Sequence, residues 1–151
     1  MKALVIYGPS ASGKSYYAEN SAEISQDTEE VETLLLERDY VRFNIMGLGD
    51  WTKYHPHHDT ENAVDAFWKY CLVKYSIVGT NLIISDTNCK IGDRRKLKKL
   101  LEYLGYDVSF HRMSTSLEEC IARDAKRGAF RVGADVIKRQ WEHFIKDESH
   151  V

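Results

Sequence analysis

The sequence predicts an α/β fold, a doubly wound parallel sheet, and three features predict it. An apolar run, Ala3 to Tyr7, leads straight into Gly8-Pro9-Ser10-Ala11-Ser12-Gly13-Lys14-Ser15. Two more apolar runs, Leu34-Leu35-Leu36 and Leu82-Ile83-Ile84, each close on charged residues. Between the runs, apolar residues recur at intervals of three and four, the helical period. Strands that alternate with helices give a parallel sheet covered by its own crossovers.

The first strand, Ala3 to Tyr7, aims into a segment that fits the Walker A pattern G-x-x-x-x-G-K-[ST]. A phosphate cradle needs a tight turn whose backbone N–H groups face inward, with a helix starting at the anion. Gly8 and Gly13 permit that backbone, Pro9, Ser10, Ala11 and Ser12 complete the turn, and Lys14 adds a charge. Ser15 is placed to put its hydroxyl on the Mg²⁺ that bridges the terminal phosphates of a nucleoside triphosphate. Residues Gly8 to Ser15 are therefore expected to bind a triphosphate, with Ser15 as the metal ligand.

Lys14 to about Glu23 carries Tyr17, Ala18 and Ser21 at helical spacing, and the acidic stretch Gln26 to Glu30 reads as an exposed linker. Val31 to Glu37 is the second strand, ending in Arg38-Asp39. A short helix is expected over Asp39 to Met46, then a loop punctuated by Gly47, Gly49 and Pro56 up to about Asp59. Thr60 is placed to cap a helix from Glu61 to about Val78, whose apolar stripe includes Val64, Phe67, Trp68, Cys71, Leu72 and Tyr75. Gly79 stops it, and Asn81 to Ser85 forms a third strand that closes on Asp86. A basic helix over Gly92 to Tyr103, a fourth strand over Tyr106 to Arg112, and a helix opened by the capping box Ser116-Leu117-Glu118-Glu119 follow. That helix carries Arg123 and Arg127, four apart and on one face, toward Gly128; a last helix runs from Ala134 to Lys146. The whole pattern is that of the P-loop kinase type with a helical lid, in a single domain, 1–151, without repeats.

At 151 residues, 43% hydrophobic and 29% charged, the chain has the makeup of a globular domain with one core. Its apolar runs are too short to span a bilayer and its first residues do not read as a signal peptide, so a cytoplasmic protein without a membrane partner is expected. Cys71, Cys89 and Cys120 are odd in number and widely spaced, which predicts reduced thiols. His55-Pro56-His57-His58 reads as a solvated loop rather than a metal site. A net charge of −2 excludes coating of nucleic acid by bulk electrostatics and leaves a local basic pocket open.

Phosphoryl transfer asks for a base at the acceptor hydroxyl, a cation on the migrating phosphate and exclusion of water. Asp39 is placed to take the acceptor's proton, and Arg42 to hold a phosphate already on the acceptor. Asp86 suits either support of Arg42 or the water shell of the metal. Each has a plainer reading: a helix N-cap for Asp39, a solvated helix face for Arg42, and a turn with Thr87 and Asn88 for Asp86. Arg123, Lys126 and Arg127 suit a helix C-terminus whatever the function, or, with Phe130 to Gly133, a lid closing over nucleotide. Arg94, Arg95, Lys96, Lys98 and Lys99 read as a solvated charge run more readily than as a nucleic-acid track.

Taken in order, Gly8 to Ser15, Arg38-Asp39-Tyr40-Val41-Arg42, Ile84-Ser85-Asp86-Thr87-Asn88 with Arg94-Arg95, and Arg123 with Lys126-Arg127-Gly128 resemble the kinase domain of the bacteriophage polynucleotide 5′-hydroxyl kinases. The resemblance covers nearly the whole chain. It implies a kinase that transfers the γ-phosphate of ATP to the 5′-hydroxyl of DNA or RNA ends, with Mg²⁺, as a healing step in nucleic-acid repair. It further implies Asp39 as general base, Arg42 on the acceptor's 3′-side phosphate, Asp86 supporting Arg42, and Lys14 and Ser15 on donor phosphates and metal. Arg127 is implied on the transferring phosphate as a catalytic lid residue, with Arg123 at a neighbouring nucleotide-binding position. The D-x-D-G-T motif of the phosphatase domain joined to the familiar phage kinase does not occur here, so no phosphatase domain and no 3′-phosphatase activity are expected. Kinases of nucleosides or other small metabolites share the fold, and they stand as the alternative.

Overall fold

The computed structural model describes residues 1–21, 31–45 and 57–146. Four strands form one all-parallel sheet: β1 (Lys2–Tyr7), β2 (Thr33–Leu36), β3 (Asn81–Ser85) and β4 (Asp107–Arg112), in the order β2-β3-β1-β4. The registers Ala3 with Leu82, Thr33 with Asn81 and Lys2 with Asp107 bring the C-terminal ends of β1, β2 and β3 together. In such a sheet that edge, beside the central strand, is where ligands bind.

Side chains of β1 alternate between two cores, as the strand period requires. Ala3 and Val5 pack with Leu82 and Ile84 against Val64, Trp68 and Leu72 of α3 (His58–Val78) and Leu97 and Leu101 of α4 (Ile91–Tyr103). Leu4 and Ile6 pack with Ile83 against Ala18 of α1 (Lys14–Asn20) on the other side. The doubly wound expectation therefore stands. Tyr7 adds a third cluster with Cys89 and Phe144, the latter on α6 (Ala134–Ile145), which packs on α5 (Leu117–Ala125). All three cysteines are buried free thiols. Among the described residues, no helix is long and apolar enough to cross a membrane.

Several expected boundaries move. Strand β2 starts at Thr33 and stops at Leu36, because Glu37 becomes the residue before a one-turn helix, α2 (Arg38–Tyr40), that continues as a π-type turn over Val41–Ile45. Helix α3 starts at His58 rather than Glu61, and its cap is His57, whose ring nitrogen accepts from the Asp59 N–H at 3.4 Å. Thr60 therefore lies inside the helix and does not cap it. The acidic linker and most of the loop from Gly47 to Asp59 fall outside the described residues.

Candidate active site

The Walker A segment folds as a loop between β1 and α1. Gly8 is needed for close approach: a Cβ there would stand 2.9 Å from the Met113 side chain and 2.9 Å from the Ser12 hydroxyl. Gly13 takes the left-handed region at φ 90°, which glycine enters without steric cost. Distant segments brace the loop. The Gly8 N–H donates to Thr87 O at 3.0 Å, Thr115 donates to Ser12 O at 2.7 Å, and the Ser10 N–H donates to the Gln140 amide oxygen at 2.7 Å. Lys14 curls back over the turn, donating to Gly8 O at 2.9 Å and Pro9 O at 2.8 Å. Burial pushes its ammonium pKa down.

One open cleft, of about 2180 Å³, joins this loop to the ends of β2 and β3. It is lined by Lys14, Ser15, Asp39, Arg42, Asp86 and Arg127 among others, so these six expected site residues share one space. Ser15 donates to Glu37 at 2.9 Å. Glu37 ends the run of β2 toward the cleft, and burial raises its carboxyl above the ordinary range. Asp86 accepts from the Arg38 backbone N–H at 2.9 Å and from its guanidinium at 2.8 Å. Burial raises the Asp86 pKa against the pull of Arg38.

The resemblance implies that Asp86 supports Arg42; here Asp86 holds Arg38 instead. Arg42 is gripped by Glu61, with Nε to Oε1 at 3.0 Å and Nη2 to Oε2 at 2.7 Å, and donates from Nη1 to Asp39 at 2.7 Å. Arg38 lies 3.9 Å over the Trp68 ring and reaches Asp65 at 3.3 Å. The switch of partners follows from direction. Arg38 opens α2 beside the end of β3, whereas Arg42, one turn on, faces the first turn of α3, where Glu61 stands. Of the plainer readings, a solvated Arg42 and an N-capping Asp39 are both replaced by these contacts: the cap position is Glu37, without a side-chain cap bond.

Helix α5 is capped by Ser116, which accepts from the Glu119 N–H at 3.2 Å, as its capping box predicts. It stops at Ala125, so Arg123 and Arg127 do not share one helical face as expected. Arg123 pairs with Glu119 and approaches the loop at Gly13, its Nη1 3.3 Å from where a Gly13 Cβ would be. Arg127 instead faces the cleft, 3.8 Å from Asp124. Asp124, 2% exposed, draws the lid segment together by accepting from the N–H groups of Val132 at 3.0 Å and Gly133 at 2.9 Å. Arg94, expected on a solvated face, is fully buried: it donates to Asn88 O at 2.9 Å and Cys89 O at 2.8 Å and stacks 4.2 Å over Tyr7. It thereby shapes the loop after Asp86.

Sequence reasoning missed Glu37, Glu61, Asp124 and Gln140. Glu37 carried a usable signal, a carboxylate directly before the Arg38-Asp39 pair at a strand end. The others lie within helices, where a polar residue reads as surface.

Comparison with known proteins agrees with this architecture. A family profile described as an AAA domain matches residues 4–147. A protein of Autographa californica nuclear polyhedrosis virus, named "Putative bifunctional polynucleotide kinase/RNA ligase", is 28% identical over 152 residues, covering 95% of this chain and 21% of its own. The chain thus spans about a fifth of that relative's length. A chain of the Pnkp1/Rnl/Hen1 RNA repair complex aligns at 21% identity and TM-score 0.76, over 96% of this chain and 44% of the other. A gluconokinase from Sinorhizobium meliloti 1021 aligns at 19% identity and TM-score 0.59, over 94% and 74%. These two share the fold. A Walker A loop, a parallel sheet in the order β2-β3-β1-β4 and a family match across nearly every residue lead to one assignment: the chain belongs to the AAA-domain family, with a fold of the P-loop kinase type.

Proposed function

We propose that the protein is a polynucleotide 5′-hydroxyl kinase, moving the γ-phosphate of ATP to the 5′-OH end of DNA or RNA in end healing. The observation that carries this reading is the placement of Asp39 and Arg42 in the same cleft as Lys14, Ser15 and Arg127. One side offers a phosphate cradle, the other a carboxylate and a guanidinium for an acceptor.

Lys14 leaves Gly8 O and Pro9 O to meet the donor's terminal phosphates. The site's oxygens suit Mg²⁺: the Ser15 hydroxyl is already polarised toward Glu37, and Asp86 closes the neighbouring strand. When bound there, Mg²⁺ neutralises charge on the β- and γ-phosphates. Arg42 swings from Asp39 to a phosphate on the acceptor's 3′ side while Glu61 keeps its orientation. Asp39, freed, accepts the hydroxyl proton as the 5′-oxygen bonds to the γ-phosphorus and the bond to the bridging oxygen of ADP opens. Arg127 approaches from the lid to stabilise charge on the transferring group.

A small, uncharged acceptor is the second reading. Five carboxylates, Glu37, Asp39, Glu61, Asp65 and Asp86, line the cleft and favour a neutral polyol or nucleoside over a polyanion. Incubation with γ-labelled ATP and either a 5′-OH oligonucleotide, a 3′-phosphorylated nucleoside or a bare nucleoside separates the two. Label on the first two and little on the third is expected. Label on the bare nucleoside alone would overturn the proposal.

A further inference from the structure

The charges of the cleft divide unevenly. From the loop to Cys89 its lining carries four cations and five carboxylates. From Lys90 onward, on α4, the lid and α6, it carries five cations, Lys90, Lys96, Arg127, Arg131 and Arg139, against Asp93 alone. The cations of the first stretch are engaged: Arg38, Arg42 and Lys69 each sit on a carboxylate. On the wall built by α4, the lid and α6, here the rim, Lys90, Lys96, Arg131 and Arg139 have no ion pair among the described residues. In a chain of net charge −2, four uncompensated cations lining one cleft mark a place for anionic groups.

The rim also carries an aromatic ring. Phe130 is 59% exposed, lies between Arg127 and Arg131, and faces the same cleft. Basic residues interleaved with an exposed ring suit single-stranded nucleic acid, whose phosphates take the charges and whose bases stack. Lys96, Phe130, Arg131 and Arg139 line the same cleft as Asp39 and Arg42.

Resting on the polynucleotide kinase reading, we propose that the rim formed by Lys96, Phe130, Arg131 and Arg139 is the track for the acceptor strand beyond its first nucleotide. Lys96 and Arg139 contact phosphates, and Phe130 supports a base. The pocket at Asp39 and Arg42 then reads only the 5′-terminal nucleotide, and the rim makes a longer strand the better acceptor. The five carboxylates cease to be an objection, because the chain of phosphates leaves the pocket across its positive wall.

The test is steady-state transfer to two acceptors, a nucleoside 3′-phosphate and a single strand of about eight nucleotides, across a range of salt. In the native protein the longer acceptor should have the lower KM. In Lys96→Gln/Arg139→Gln that advantage should shrink about tenfold, and the slope of log KM against log salt should fall by about 0.7 for each contact removed. Lys96→Arg/Arg139→Lys, which keeps both charges, should retain the native slope. An unchanged advantage and slope, or an equal loss with both acceptors, would overturn the track while leaving the kinase reading in place. Failure of the native protein to phosphorylate either acceptor would sink the kinase reading itself, and the track with it.

Discussion

The Ser15 hydroxyl donates to Glu37 across 2.9 Å, linking the first residue after the Walker lysine to the end of β2. A serine at this place serves the metal in triphosphate binding, and the bond to Glu37 fixes the orientation of its hydroxyl. Glu37→Ala removes that orientation and one of the hard oxygen donors nearby. The Mg²⁺ concentration for half-maximal binding of a fluorescent ATP analogue should rise by about tenfold, in the range that lost outer-sphere partners cost. An unmoved midpoint would take Glu37 out of the metal site.

Asp39 accepts from Arg42 at 2.7 Å, while Glu61 holds the same guanidinium through two bonds. Asp39→Ala therefore leaves Arg42 in place and isolates the carboxylate's role. Transfer should fall by about 10² to 10⁴, the usual worth of a general base, with ATP affinity retained. An active Asp39→Ala protein would remove Asp39 from that role. Glu61→Ala, by contrast, frees Arg42 from its anchor and should raise the acceptor KM more than it lowers kcat.

The sheet was legible because its signals are local: Asn81–Ser85 is bounded by Gly79 and Asp86, and the capping box at Ser116 announces its own helix. The donor loop was legible for the same reason. Partner choice was not. That Asp86 takes Arg38 rather than Arg42, or that Gln140 reaches Ser10 across 130 positions, depends on where a turn of helix points after folding. Arg94 shows the limit most plainly. In a run of basic residues it looks solvated, yet two carbonyls and the Tyr7 ring draw it fully inside.

Asp124 joins α5 to the lid through the Val132 and Gly133 amides. Asp124→Ala leaves two amides without this acceptor and removes the partner facing Arg127, at a cost of about 3 kcal/mol. Denaturant unfolding should show that loss. Proteolysis between Lys126 and Arg131 should accelerate more than global unfolding does, because the clasp acts locally. Equal protection of this segment in both proteins would contradict the clasp.

Tyr106, 4% exposed, donates its phenol hydroxyl to Thr80 O at 3.1 Å, and burial pushes its pKa up to about 12. In the unfolded chain the phenol ionises near pH 10. Between those values the unfolded state binds fewer protons than the folded one, so unfolding free energy falls as pH rises. The contribution is complete below about pH 10 and disappears as pH climbs through the folded value. Two units correspond to roughly 2 to 3 kcal/mol. Tyr106→Phe keeps the ring but has no proton to lose. At neutral pH it should be less stable by about 1 kcal/mol, for the bond to Thr80. As pH is raised toward about 11, urea unfolding should show the native protein losing that lead and the variant becoming the more stable of the two. A difference that stayed constant over this range would mean that the Tyr106 phenol ionises alike in both states.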